Sequence, residues 1–599
     1  GGVNVSTSGT VNIDTVRILD FEGPGLVLEG ASGTVVKDVS FQADAYVSHH
    51  SASLSTDASR PQFDWELDHP GIIVVRGGGP SIDGVDISVN GTSVLDLAYD
   101  RTNAGGGLGI DLDWGIVFVE NGEKVHISDV TIRDSNIYHT LNVDVTASTA
   151  GFFRLDLSYG ADVALVRNYR DVSVAGIGIG STRYYMLQLN VTGVAQGEYD
   201  AVYSGRGLRG VQAYVSETFD DPGPHEFDLV VKDVRVGYMP AIHHRLDLSY
   251  TGTSSPTFDS EVLVDNVSVN SAVLPMVFEI LPRFPLVKTI YANVTVSDSD
   301  FTFLGSSGIT VDYHRGPGVT NRRAIELHAL TRIEDCVFTR SNAGAHGLVN
   351  VPTRFYEPNS DLDDNTFVVR GCTFSQNVNT LLNVNGTASL ARNRLVVDDN
   401  VFANNTAWKK MRILDLRNRT VLEFTNNTFN DNNCSNGAYI DELGSDSLGQ
   451  KDPCRLLIAN NSFLRNWDNP YEIGPGVIFD VHWGGELVIV GNTIADSGVR
   501  FLNLVETPAI SLGSTLEFHH NTVLRNNNPV LFFANNDRYH ENLVAVIRNN
   551  IVWDNGGALV DYDVLDPTIL NYDYDATFYL LDNDVRRAGS TVFSNYGNI

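Results

Sequence analysis

The sequence predicts an all-β solenoid of parallel strands wound through about seventeen coils, and three observations predict it. Apolar residues alternate with period 2 in short runs, the alternation slips by one residue at a bend, and this signature returns along nearly the whole chain. The stretch 422–429, Leu-Glu-Phe-Thr-Asn-Asn-Thr-Phe, displays it: inward positions at Leu422 and Phe424, a skip at Asn426, and inward positions again at Asn427 and Phe429. Because a strand shows alternate side chains to opposite faces, an extra residue is needed to shift that phase, and two short strands meet at the bend. Abundant β-branched and aromatic residues, with Asn-, Asp- and Gly-rich links, exclude a helical repeat.

Taking the bend residue as a pivot, apolar positions are expected four and two residues before it and one and three after. In chain order the pivots are Thr15, Asp38, Asp86, Asp129, Asp171, Asp233, Asn266, Asp298, Asp335, Gly371, Asp399, Asn426, Asn460, Gly491, His520, Asn549 and Asp582. The matches at Asp86 and Asp171 are partial before the pivot. From Gly371 to Asn549 the pivots lie 27 to 34 residues apart, which suits one circuit of a three-sided coil. With strands about 4.8 Å apart, such coils would stack into a rod of roughly 75–80 Å. One continuous solenoid is expected, with an N-terminal half (1–330) that carries long insertions and a regular C-terminal half (331–599).

The halves differ one residue after the pivot. The first places inward Val39, Ile87, Val130, Val172, Val234 and Val267 there, and the second Asn400, Asn427, Asn461, Asn492, Asn521, Asn550 and Asn583. A buried asparagine on every coil can stack into a ladder of amides that bond above and below, so these residues are read as structural. Cys336 and Cys372 take the same slot on consecutive coils, where either a disulfide or two stacked free thiols fits. Cys434 and Cys454 flank a polar segment that reads as a loop pinched by a disulfide. Insertions are expected to leave the solenoid at 45–67, 95–111, 146–160 and 182–225, and a further imperfect coil is placed around Asn190. Binding residues concentrate on loops held by rigid scaffolds, so this half is the first place to look. Tyr184, Tyr185, Tyr199, Tyr203, Arg206 and Arg209 give the last insertion an aromatic and basic character, with packing onto the solenoid as the simpler account.

Of the 599 residues, 42% are hydrophobic and 19% charged, which is a folded rather than a disordered composition. A net charge of -32 and a pI near 4.7 argue against a nucleic-acid partner. No long apolar run appears, so no insertion into a membrane is expected. The chain opens Gly1-Gly2, so any signal peptide is absent or already removed. Asn-X-Ser/Thr triplets stand at Asn4, Asn90, Asn190, Asn266, Asn293, Asn385, Asn404, Asn418, Asn426, Asn433 and Asn460. They are either N-glycosylation sites or the chance product of an Asn- and Thr-rich chain. Together with the cysteine loop they favour a secreted or cell-surface glycoprotein. Neither end shows a cap over its open strand edges, so the chain is expected to be an excerpt of a longer one or to associate end to end with neighbouring segments.

This pattern resembles the right-handed parallel β-helix of the pectin-lyase-like superfamily, over almost the entire chain. The C-terminal part also resembles the Phe-X-X-Asn repeats of polymorphic outer-membrane adhesins. These read Phe374-Ser-Gln-Asn377, Phe402-Ala-Asn-Asn405, Phe429-Asn-Asp-Asn432 and Phe463-Leu-Arg-Asn466, with Gly556-Gly557-Ala558 matching that family's other short motif. The first resemblance implies an architecture, and the second implies a role at the cell surface.

Enzymes of the superfamily act on polysaccharides, so their chemistry is sought here. Asp398-Asp399 and His346 are similar to polygalacturonase elements, but the histidine precedes the carboxylates, and Asp399 already serves as a pivot. Asp111 and Asp113, or His243-His244-Arg245, could serve a calcium-assisted lyase, against simpler accounts as a wet strand face and a polar turn. Acidic groups at Asp361, Asp363 and Asp364, and at Asp561, Asp563, Asp573 and Asp575, leave calcium as the one cofactor in view. No catalytic residue is assigned and no metal ligand set is identified. The reading is an extracellular structural or adhesive rod, part of a surface or fibrous filament, with self-association, glycans or cell-surface proteins as partners. The alternatives are a polysaccharide lyase or glycoside hydrolase, and a glycan-binding module without turnover.

Overall fold

The computed structural model of the chain describes residues 2–594 apart from connecting segments. Those of five or more residues are 57–61, 102–106, 148–152, 180–185, 193–198, 251–256, 314–324, 354–363, 387–393, 407–412, 442–453, 469–475, 507–514, 535–543, 564–576 and 587–592. All the described regular structure is β-strand, and each strand pairs in parallel with its counterpart one repeat later, which is the pattern of a β-solenoid. Among the described residues no helix is long and apolar enough to cross a membrane. The chain forms two compact units: Gly1–Glu217, Phe227–Asp247 and Val264–Val269 in the first, and Thr218–Glu226, Leu248–Leu263 and Asn270–Ile599 in the second.

A repeat of the second unit runs from Val421–Thr425 through a bend at Asn426 to Thr428–Asn430, then through a bend at Asp431 towards Ala438–Asp441. Both bend residues are left-handed, with φ of 55° and 58°. A side chain costs energy in that region, least for glycine and for the short polar Asn and Asp, which explains the residues chosen. Fifteen of the pivots expected from sequence have positive φ. Two are displaced. The bends fall at Gly84 (φ 67°) and Gly176 (φ 63°), not at Asp86 and Asp171, and the inward residues that follow are Val85 and Ile177, not Ile87 and Val172. Register confirms the first shift, since Ser128 pairs with Asp83 and Val130 with Val85, which sets Gly84 opposite Asp129. A two-residue slip keeps the parity of an alternating pattern, so local alternation cannot detect it.

The asparagine ladder forms as the inward slot requires. Asn400, Asn427, Asn461, Asn492, Asn521 and Asn550 are at most 2% exposed. Asn427 Nδ2 donates to Asn461 Oδ1 (3.1 Å) and to the Val397 carbonyl (2.8 Å), while its Oδ1 accepts from Asn400 N (2.9 Å) and Asn400 Nδ2 (3.0 Å). The polar atoms of a buried amide are thereby satisfied by its neighbours one repeat away. A second ladder follows the second bend: Asn405 Nδ2 donates to Asn432 Oδ1 (3.0 Å), Asn432 Nδ2 to Asn466 Oδ1 (3.3 Å) and Asn526 Nδ2 to Asn555 Oδ1 (3.1 Å). Its members include the asparagines of the Phe-X-X-Asn motif. The phenylalanines of that motif stack as well, Phe374 on Phe402 at 5.1 Å between ring centroids, and Phe338, outside the motif, extends the column 4.8 Å from Phe374.

In the first unit the inward slot is aliphatic: Val39, Val85, Val130, Ile177, Val234 and Val267 are all buried. Among the described residues, the expected insertions continue strands and do not leave the fold as loops. Gly33–Thr56 pairs with Pro80–Arg101 as far as Thr56 opposite Arg101, and Asn136–Ala147 pairs with Pro80–Arg101 as far as Ala147 opposite Arg101. Met186–Thr192, around Asn190, joins the same sheet. The chain comes back through Gly107–Glu120, Phe153–Arg167 and Tyr199–Phe219, which pair with one another. The extensions bury Tyr46, Leu95, Leu97, Tyr99, Leu108 and Ile110, with Ser48 Oγ bonded to Ser93 Oγ at 2.8 Å. Apolar alternation within the insertions thus continues the strands and lengthens the repeat.

Candidate functional site

A left-handed bend turns its own side chain outward and the next one inward, so each corner presents a column of exposed side chains. Asn266, Asn404, Asn426 and Asn460, four of the Asn-X-Ser/Thr asparagines, occupy such corners and are exposed. Asn4 is exposed on the strand Val3–Ser6, and Asn90 and Asn293 are half-buried. Asn433 is 3% exposed, and its N–H bonds the Asn405 carbonyl at 2.9 Å. The side chains of Asn190 and Asn385 and all of Asn418 lie outside the described residues. On the second corner, charges alternate along the column. Arg465 grips Asp431 with two bonds of 2.7 Å, and Arg525 grips Asp496 at 2.5 and 2.7 Å. Those guanidinium hydrogen bonds hold both carboxyls below the usual range. Such exposed pairs contribute little to stability and give the corner a patterned surface.

The second unit offers a different surface on the strands that follow the second bend. Thr310 pairs with Asn350, Asn350 with Asn383, Asn383 with Asp415, and Asp415 with Tyr439. The column continues through Asp480 and Asn503 to Phe532. Its described side chains face away from the buried Leu382 and Val384, at about one residue per 4.8 Å, and those of Asp415 and Tyr439 lie outside the described residues. Asn383 Nδ2 donates to Asn350 Oδ1 (3.0 Å), and Asn503 Nδ2 to Asp480 Oδ1 (2.8 Å). Asn383 Oδ1, Asn503 Oδ1 and Thr310 Oγ1 are shielded from solvent without a partner among the described residues. Arg500 lies 3.5 Å above the Phe532 ring. This line of amides, a hydroxyl and a carboxylate can bond ligand hydroxyls, and an alternation count does not single it out because it falls on the face opposite the core.

The residues considered for catalysis are dispersed. Asp398 accepts from Thr425 (2.7 Å), Asn426 (2.8 Å) and Arg370 (3.2 Å). Partial burial pushes its carboxyl up, but those bonds outweigh it and hold it low. Asp399 is a left-handed corner residue, and His346 lies outside the described residues. His243-His244-Arg245 is not a turn, as expected from sequence, but part of the strand Ile242–Tyr250. His244 Nε2 lies 2.7 Å from the Tyr169 hydroxyl, and burial, with His243 alongside, drops its imidazole to about 3, so it stays neutral in the core. Asp111 pairs with Asp64 and Ser158 in strands whose carboxyl groups lie outside the described residues, as does the side chain of Asp113. Asp361, Asp363, Asp573, Asp575, Tyr184 and Tyr185 lie outside them entirely, as do the side chains of Asp364, Asp561, Asp563, Tyr199, Tyr203, Arg206 and Arg209. Among the described residues no group of three or more His, Cys, Asp or Glu is arranged to hold a metal ion.

No disulfide joins the described cysteines. Cys336 and Cys372 are buried free thiols in the inward slot, donating to the carbonyls of Glu334 (3.2 Å) and Arg370 (3.3 Å), and Cys372 N donates to Asn400 Oδ1 (2.9 Å). Cys434 is also free and buried, while the Cys454 side chain lies outside the described residues. The loop-pinching bridge expected between Cys434 and Cys454 is not seen; the Cys434 side chain packs into the interior, next after the buried Asn433. Burial pushes the Cys434 thiol well up, and Asp468 adds to the effect. Native alkylation at pH 8 is therefore expected to spare Cys336, Cys372 and Cys434, and denaturant to expose all three. Peptide mass mapping reads the outcome, and a linked 336–372 or 434–454 peptide would show a bridge instead. Searches of protein-family models, curated proteins and solved structures found nothing that matches this chain.

Proposed function

We propose that the chain is an extracellular structural or adhesive glycoprotein, built on a right-handed parallel β-helix of about seventeen coils of the pectin-lyase-like type. The observation that carries this reading is the division between adjacent asparagines. Asn404, Asn426 and Asn460 point outward at corners in glycosylation triplets, and each is followed by a buried ladder residue, Asn405, Asn427 or Asn461. A stiff interior spine combined with modifiable corners suits a surface scaffold that assembles with its neighbours. Intact-mass and glycopeptide analysis after secretion from a eukaryotic host tests it. Glycans are expected at Asn266, Asn404, Asn426 and Asn460 and not at Asn433; a chain bare at all four sites would sink the glycoprotein reading.

A second reading, a glycan-binding surface with or without turnover, draws support from the amide line through Asn350, Asn383, Asp480 and Asn503. Three acceptors there lack donors among the described residues, and sugar hydroxyls supply such donors. Incubation with plant and algal polysaccharides, with and without calcium, separates binding from cleavage. New reducing or unsaturated ends would favour an enzyme over the scaffold.

A further inference from the structure

Adjacent histidines on a strand point to opposite faces, so a His-His dipeptide does not ordinarily place its rings together. His243 and His244 obey this rule within Ile242–Tyr250. His519 and His520 do not. The strand Thr515–His519 buries Leu516 and Phe518 and turns Glu517 and His519 outward, and the next residue, His520, is a left-handed corner with φ 56°. The bend brings the second imidazole round to the same side. The two Nδ1 atoms lie 2.9 Å apart, with the rings 79° from coplanar.

The distal nitrogens have partners of their own. His519 Nε2 lies 3.5 Å from Glu517 Oε2, and Glu517 is in turn 3.8 Å from Arg548 Nη2. His520 Nε2 lies 3.4 Å from the Asn549 side-chain amide, one repeat on. A neutral imidazole carries its proton on one nitrogen, and a carboxylate beside Nε2 keeps it there. The Nδ1 lone pair of His519 therefore points at His520.

We propose that His519 and His520 form a two-nitrogen chelate for a divalent transition metal of the Cu2+ or Ni2+ class, bound through both Nδ1 atoms. Metal–imidazole bonds of about 2.0–2.1 Å enclosing a right angle span about 2.9 Å, whereas a tetrahedral angle needs about 3.3 Å. The N–H···N hydrogen bond of the metal-free pair already holds the two nitrogens within such a span, and imidazole donors bind Cu2+ and Ni2+ in square or tetragonal sites, with Cu2+ favoured over Zn2+. In the metal-free protein one Nδ1 donates its proton to the other. On binding, the His520 proton moves to Nε2, where the Asn549 amide accepts it by turning over, so the net proton count is unchanged. Glu517 orients the first ring from behind, the role that outer partners play at metal-bound histidines. His520 is exposed, so the remaining coordination positions face solvent.

The test is a Cu2+ titration of the full chain followed by electron paramagnetic resonance, in parallel with His519→Gln, His520→Asn and Glu517→Gln. Asparagine tolerates the left-handed corner, so His520→Asn removes the ligand without straining the bend. One tightly bound Cu2+ with coupling to two nitrogens is expected. Each histidine variant should lose that signal, and Glu517→Gln should bind about tenfold more weakly or worse. Zn2+ should compete poorly. Wild-type binding retained in both histidine variants, or a signal without two-nitrogen coupling, would overturn the proposal.

Discussion

Asn427→Ala is expected to destabilise the second unit by about 3–5 kcal/mol, with the damage centred on its neighbours. The substitution removes the acceptor of Asn400 N and Asn400 Nδ2 and the side-chain donor to the Val397 carbonyl and Asn461 Oδ1. Each buried polar group left unpaired costs about 1–3 kcal/mol, and the small cavity adds to that. Solenoid repeats couple mainly to their neighbours, so one denaturation midpoint is a blunt reading. Hydrogen exchange is sharper: the Asn400 amide, whose bond is to a side chain, should lose protection first. Asn426→Gly, one residue away on the exposed corner, should be near neutral because glycine accepts φ 55° freely. A loss under about 1 kcal/mol for Asn427→Ala would mean that its partners find other bonds, and that the ladder is a minor contributor.

The second large effect concerns the phenylalanine stack. Phe374 is fully buried between Phe338, at 4.8 Å and 2° from parallel, and Phe402, at 5.1 Å and 7°. Phe374→Ala is expected to cost about 3–5 kcal/mol, because a ring-sized void on the core axis cannot close without breaking strand register. Phe374→Leu fills most of that space and should cost clearly less. A double-mutant cycle with Phe338→Leu isolates ring-on-ring coupling, expected at about 0.5–1.5 kcal/mol. Urea unfolding of the wild type, the Phe374→Ala variant and the three leucine variants provides the measurement, and equal costs for Phe374→Ala and Phe374→Leu would contradict a rigid, ring-filled column.

Local alternation made one corner of the repeat legible from sequence, because the phase slip at Asn426 has a single simple explanation. It separated Asn426, outward, from Asn427, inward, and the structure keeps both assignments. The second corner was hidden in a motif already in view. Phe429 and Asn432 are both buried, but the Asn-Asp pair between them reads as an ordinary turn until Asp431 is seen to be left-handed. Gly84 escaped because glycine leaves no apolar mark and its two-residue slip from Asp86 preserves parity, and Gly176 because the buried Val172 and Val174 already fill the inward positions expected after Asp171.

What the sequence determined by itself, then, is the all-β class, the parallel repeat and the face of each alternating residue, since all of these depend on residues a few positions apart. Which groups meet was decided by tertiary structure. Asn400 finds Asn427 27 residues on and His520 finds Asn549 29 residues on, and Thr56 stands opposite Arg101 at the tip of an extended repeat. A parallel pair has no tight turn to fix its register, so these meetings depend on the length of every connection around the repeat. Whether adjacent histidines diverge, as at 243–244, or converge, as at 519–520, depends on where the left-handed bend falls within that register.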